Sequence, residues 1–306
     1  MNRAKHILSY LTWPGLLLIC LSITAYGFSQ DMMMRFFNLA YLFLIVSLYF
    51  LERAMPHERK WLEVDGQTIA NIAHTLTSKG TVQILLIFGG VIGIAGLLES
   101  DALDYGLWPM DWPLWLQIAL GVVASEFALY WAHRLAHEWP FLWRFHAIHH
   151  SVVKLWFVNT GRFHFVDSLI SVVMGIVPLV ILGASMEVIQ WQAAITAFIG
   201  MLTHCNVEMR FGVLSWVFNT PGLHRWHHSR KLEEGNRNYG ENVIIWDQIF
   251  GTYINPKHRP PSNIGIGDFM PEKFIHQLMW PFLNERQKEA IQKKFPEGMH
   301  FKQAAE

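Results

Sequence analysis

Residues 130–150 read YWAHRLAHEWPFLWRFHAIHH, and five of them are histidines. His133 and His137 stand at i and i+4, so on a helix they share one face. His146 and His149 stand at i and i+3, and His150 completes an i, i+4 pair with His146. The stretch HRWHH at 224–228 repeats that spacing with His224, His227 and His228. Imidazole is the commonest metal-ligating side chain, and several on one face can close on one ion. The eight histidines suffice for four ligands to each of two ions. A lone HxxxH pair is more often ordinary helix. Eight imidazoles buried without an ion would leave many polar atoms to satisfy, which favours metal.

Outside these clusters the chain is strongly apolar. It has 306 residues, 52% of them hydrophobic, and no net charge. The apolar residues come in runs: Ile7–Phe28, Met32–Leu51, Val82–Leu98 and Trp112–Trp131. Each is close to the roughly 20 residues that span a bilayer core. A further apolar hairpin is expected from Phe165 to Leu182 and from Glu187 to Leu202, around Gly183-Ala184-Ser185, either crossing the membrane or dipping into it. Basic residues flank the first run and occupy 52–80, whereas 99–111 has four acids and no base. The positive-inside rule then places the N-terminus and every histidine group on the cytoplasmic side.

The expected fold class is all-α: an integral membrane helical bundle of about four spans plus an apolar hairpin, with a cytoplasmic histidine-rich metal-binding cap. The expected divisions are an N-terminal transmembrane region over 1–111, a catalytic domain over 112–255, and a C-terminal tail over 256–306 with a surface helix at Asn284–Phe295. Residues 52–80 are expected along the surface, with an amphipathic helix near Ile69–Leu76. Asp111 and Thr220 are expected N-caps, and Trp139-Pro140 a helix break. No basic excess points to nucleic acid. Cys20 and Cys205 cannot build a disulfide framework, and the absence of CxxC disfavours thiolate zinc.

Four further positions bear on a site. His164 and His204 sit at the two ends of the hairpin, where each is expected either to join the ligands or to serve as a polar cap on a span. Glu126 lies inside an apolar run, and intramembrane carboxylates are costly and usually functional. Glu126, Tyr130, His133 and His137 are spaced 4, 3, 4 and so line one face. Glu126 is therefore expected either to accept an imidazole N–H or to make an interhelical hydrogen bond, with Asp167, Glu208 and Asp247 as weaker candidates for the first role. His6, His57, His74, His258, His276 and His300 are expected at the surface. Imidazole-only sites suit iron, copper or zinc. Two ions with neutral ligands at a membrane favour oxidation of a lipid C–H bond with dioxygen.

The motifs EFALYWAHRLAH (126–137), WRFHAIHHS (143–151), RFH (162–164), HCNVE (204–208), HRWHHS (224–229) and NYGENVIIWDQIFGTY (238–253) together resemble those of the fatty acid hydroxylase/sterol desaturase family. The resemblance covers roughly 120–255. It implies a membrane di-iron enzyme that uses O2 as co-substrate on a lipid. It implies His133, His137, His146, His149, His150, His224, His227 and His228 as iron ligands, joined by His204 and His164, with WDQIFGT packed under the site. Glu126 stands where the family often has Asp, Phe165 where it often has Pro, and Asn236 where it is often acidic. No HPGG haem motif occurs, so a separate electron donor is implied, of cytochrome b5, ferredoxin or reductase type. The substrate stays open among sterol-like, fatty-acyl, amino-acid and alkylglycerol ether lipids, the last with a pterin. Competing readings from other classes are a metal transporter and a bis-histidine haem carrier.

Overall fold

Two long apolar helices open the chain, α1 (Arg3–Ser29) and α2 (Met33–Ala54). The computed structural model describes residues 3–91, 106–296 and 298–299. α3 (Thr68–Val91) follows. The helix expected near 69–76 does not stop at Gly80 but continues to Val91. The rest of the third apolar run and the acidic stretch through 105 lie outside the described residues. α4 (Leu114–Glu138) has Pro113, not Asp111, at its N-cap. It runs unbroken past Trp131 and so carries both His133 and His137. Its end at Glu138 is set by Pro140, which occupies the first position of α5 (Pro140–His150).

α6 (Phe165–Leu182) and α7 (Met186–His204) form the hairpin. Gly183, at φ 80°, closes α6 in the left-handed region that a side chain would strain. The Ser185 hydroxyl then caps α7 by accepting from Val188 N. The remaining helices are short: α8 (Pro221–His227), α9 (Leu232–Gly235), α10 (Ile245–Ile249), α11 (Phe274–Met279) and α12 (Glu285–Lys294). Thr220 holds the N-cap position of α8, but its hydroxyl is buried and makes no cap bond. Among the described residues there is no strand, only three isolated bridges.

Among the described residues four helices are long and apolar enough to cross a bilayer: α1, α2, α4 and α6. The first arm of the hairpin thus counts among them, and the chain is an integral membrane protein. A core of Trp13, Leu17 and Cys20 from α1, Leu44 and Leu48 from α2, and Phe198 and Leu202 from α7 locks these helices together. At the end of that core, buried Glu52 of α2 accepts from Phe157 N and Asn206 N, both at 2.9 Å. One span is thereby tied to two loops beside the histidines.

Two histidines expected at the surface are structural instead. His74 is fully buried and bonds Gln277 at 2.9 Å. His57 pairs with Glu208 at 2.7 Å, which leaves that carboxylate away from the histidine clusters.

Candidate metal centre

Nine imidazoles converge where α4, α5, α7 and α8 meet. His133, His137, His146, His150 and His227 form one group, and His149, His204, His224 and His228 form another. Within each group the candidate ligand atoms all lie within 4.8 Å of one another. The two groups adjoin, with the His150 and His228 rings stacked at 4.3 Å.

Each HxxHH motif is divided between the groups. On α5 the i, i+4 pair His146 and His150 faces the five-histidine group, and His149 turns to the other. On α8 the assignment is reversed. His224 and His228 face the four-histidine group, and His227 turns back to the first. Residues i and i+4 share a helix face while i+3 points to its flank, so the two short helices, meeting through their rings, each send one side chain to the other group.

For six of the nine rings the far nitrogen explains why the near one converges. The Nδ1 of His133 donates to Tyr239 O at 2.6 Å and that of His227 to Arg237 O at 2.8 Å. His149 Nδ1 donates to Arg162 O at 3.3 Å, and His204 Nδ1 to Gly200 O at 2.8 Å. His146 Nδ1 meets the Asp167 carboxylate at 2.9 Å, and His137 Nδ1 meets Asn236 Oδ1 at 3.1 Å. An acceptor at Nδ1 keeps the proton there and leaves Nε2 as a lone pair. The Nε2 atoms of His133, His146 and His227 are buried with no partner among the described residues. His149 and His204 bring two such lone pairs to 3.3 Å, with no proton left to lie between them. Lone pairs gathered this way repel unless a cation sits among them, so the residues fit a metal. Burial, then neighbouring imidazoles, holds His149, His150, His224, His227 and His228 well below the ordinary imidazole range. All five are therefore in the neutral form that ligates.

Of the ten histidines expected at a site, His164 alone stands apart. Its Nδ1 accepts from Val166 N as the cap of α6, and its Nε2 bonds Leu278 O at 3.1 Å. Glu126 does not reach an imidazole. It accepts from Glu241 N, from Asn242 N at 3.0 Å and from Asn242 Nδ2 at 2.8 Å. Asp167, ranked below it from sequence, is the carboxylate that holds a histidine of the two groups. Tyr130 bonds Thr252 at 3.1 Å and accepts from Arg134. Asp247 accepts from Tyr239 N and Gly240 N, both at 2.8 Å, and so fixes the loop whose carbonyl orients His133.

Three contributors were not singled out from sequence. Phe163 lies flat on His149 at 4.1 Å. The Tyr239 ring stands 5.3 Å from His137. Arg162, fully buried, donates to Ile148 O at 3.1 Å and so braces the end of α5 while its own carbonyl orients His149. All three lie inside the quoted motifs RFH (162–164) and NYGENVIIWDQIFGTY (238–253), where the sequence assigned them no role of their own.

Comparison with known proteins agrees with this centre. The chain is 49% identical over 296 residues to an ornithine lipid hydroxylase of Rhizobium tropici, covering 96% of this chain and 89% of that one. It is 31% identical over 152 residues to an alkylglycerol monooxygenase of Xenopus tropicalis, 50% of this chain but 33% of the relative. A human alkylglycerol monooxygenase matches at 32% over 147 residues, 48% of this chain and 32% of its own. No solved structure matches. The fatty acid hydroxylase profile matches residues 118–252, the stretch that supplies all nine clustered histidines. With a chain-long relative and a matching profile, the protein belongs to the fatty acid hydroxylase family and is an oxidoreductase of that family.

Proposed function

We propose that this chain is an O2-dependent di-iron hydroxylase of a membrane lipid with an amino-acid headgroup, its histidines on the cytoplasmic side. The observation that carries the metal reading is the convergence of Nε2 lone pairs whose protons are held elsewhere. His133, His137, His146, His150 and His227 would hold one iron, and His149, His204, His224 and His228 the other. Bound there, two irons would supply reductive activation of O2 and oxidation of an unactivated C–H bond.

The chain's own residues prepare that chemistry. Carbonyls of Tyr239, Arg162, Gly200 and Arg237 orient four rings before anything binds. Asp167 fixes the orientation and tautomer of the His146 ring through its Nδ1 proton. Burial of eight of the nine rings keeps water away. α4 and α6 bring the centre to the bilayer, where a lipid can approach. Electrons would come from a separate protein donor.

The amino-acid headgroup is supported by the likeness to an ornithine lipid hydroxylase, which extends through the N-terminal helices as well as the centre. The alkylglycerol monooxygenase likeness spans about half the chain and supports the chemistry rather than an ether substrate. Lipid extracts of cells with and without the chain test the reading. The expected change is an amino-acid lipid heavier by one oxygen. A loss of two hydrogens, or an oxidised ether lipid, would replace it.

A further inference from the structure

Two stretches that do not span the bilayer are too apolar for a face turned to water. GVLSWVF (212–218) and IIWDQIF (244–250) have one charged residue between them, Asp247, and it is buried. Its carboxylate turns inward to Tyr239 N and Gly240 N, both at 2.8 Å. The outward side chains are apolar: Val213 is 79% exposed, and Trp216 and Ile249 are each 60% exposed. The first stretch forms a short 3-10 helix (Gly212–Trp216), and the second contains α10. Hydrogen bonds join them into one unit. Ile244 N donates to Val217 O at 3.0 Å, Gln248 Nε2 donates to Trp216 O at 2.6 Å, and Phe218 bridges Val243.

This unit is fastened to two spans at a depth that can be measured along each helix. On α4, Trp246 Nε1 donates to Val123 O at 3.0 Å, and the Trp246 ring meets Phe127 at 4.8 Å. Val123 lies eight residues before Trp131, where the apolar run ends, or about 12 Å along the helix. On α1, Trp13 packs against Phe218 at 5.1 Å and Phe211 at 6.4 Å. Trp13 lies six residues inside the run that starts at Ile7, or about 9 Å. The Trp246 bond is itself a sign of a dry setting. Val123 is in mid-helix, so its carbonyl already carries a helical bond, and the indole takes the second lone pair. In water an indole N–H has solvent to bond; in hydrocarbon it must find a protein acceptor. Cations appear only at the end of the run. Arg134 lies over Trp131 at 5.3 Å, and Arg237 Nη1 donates to Gly251 O at 2.8 Å. Aromatic rings beside guanidinium groups are what the edge of a bilayer selects.

We propose that residues 212–218 and 244–250 form a wedge sunk into the leaflet on the histidine side, with lipid acyl chains as its partner. The exposed side chains of Val213, Trp216 and Ile249 then extend the lipid-facing surface that α4 presents at Phe127, itself exposed. The inner side of the wedge serves the metal centre. Asp247 holds Tyr239, and the Tyr239 carbonyl orients His133. The wedge thereby ties the five-histidine group to the leaflet, whichever metal or lipid substrate that group takes.

The test uses the full iron-loaded chain in phosphatidylcholine nanodiscs and reads no activity. An environment-sensitive fluorophore (NBD) is attached at Ile249→Cys, at Val213→Cys and, as the reference for water, at Val64→Cys. Val64 is 92% exposed between the acids Glu63 and Asp65. Cys20 and Cys205 are fully buried and stay unlabelled. The labels at 249 and 213 should lose most of their emission when doxyl-labelled phosphatidylcholine is included, and should ignore iodide. The label at 64 should do the reverse. Iodide quenching at 249 and 213 equal to that at 64 would overturn the proposal and return both stretches to water. Protection of both labels from both quenchers would overturn it as well, because a second copy of the chain would then cover this face. If Ile249→Cys is not recovered folded, Trp216→Cys takes its place.

Discussion

Asp167 accepts the Nδ1 proton of His146 at 2.9 Å, and both side chains are more than nine-tenths buried. The acid sits in the first turn of α6 and the histidine on α5, so this bond fixes a ring on one helix from another. Outer partners of this kind typically contribute 10- to 100-fold in metal affinity. Asp167→Asn should lower iron affinity at the five-histidine group by about that factor and leave the other group filled. Iron titration of the purified variant checks it; unchanged affinity at both sites would remove the role.

The division of each HxxHH motif predicts a crossed pattern of loss. His146→Ala and His149→Ala lie three residues apart, yet each should deplete a different site. Each variant should retain roughly one iron in two, stay in the membrane and lose lipid oxidation. The double substitution with His227→Ala separates the groups further. His146→Ala with His227→Ala should resemble His146→Ala in iron content, because both serve one group. Additive loss in that pair would contradict the assignment.

Glu126 is expected to act through the fold. Its removal leaves Glu241 N, Asn242 N and Asn242 Nδ2 without an acceptor. Each orphaned buried donor costs about 1–3 kcal/mol. Glu126→Ala should therefore lower the thermal midpoint sharply and release iron only as the protein unfolds. Glu126→Gln keeps one carbonyl acceptor and should fall between. Iron loss well below the unfolding temperature would instead place Glu126 at the metal.

Gly240 offers a sharper probe of the same loop. A Cβ there would crowd Val243 O and come within 3.1 Å of Asp247 Oδ2. Gly240→Ala should push the loop outward, carry the Tyr239 carbonyl away from His133, and cost about 1–3 kcal/mol. Weakened iron binding at the five-histidine group with the four-histidine group intact is the expected signature.

Much of this centre was legible in spacing, and the limits of spacing are physical. The i, i+4 pairs pick out side chains that share a face, and the structure keeps each such pair in one group. Where the i+3 residue goes depends on how α5 and α8 are oriented about the centre, which no local pattern contains. His164 and His204 carried equal signals at the two ends of the hairpin. His204 ends α7 and its Nδ1 turns back to Gly200, whereas His164 begins α6 and spends its ring on capping. Glu126 was rightly unusual, but its partners lie 115 and 116 residues away. Asp167 looked like an ordinary first-turn acid, favourable for the helix dipole alone. His74 had no histidine neighbour at ligand spacing, and its burial comes from α11 folding over α3.

The central claim is that two adjoining imidazole groups each hold one iron. Metal analysis with Mössbauer spectroscopy of the full chain, purified in detergent from iron-replete cells, addresses it most directly. Two non-haem irons per chain, in two nitrogen-rich environments, is the predicted result. A fully folded chain with a single metal, with haem, or with zinc at both positions would contradict it.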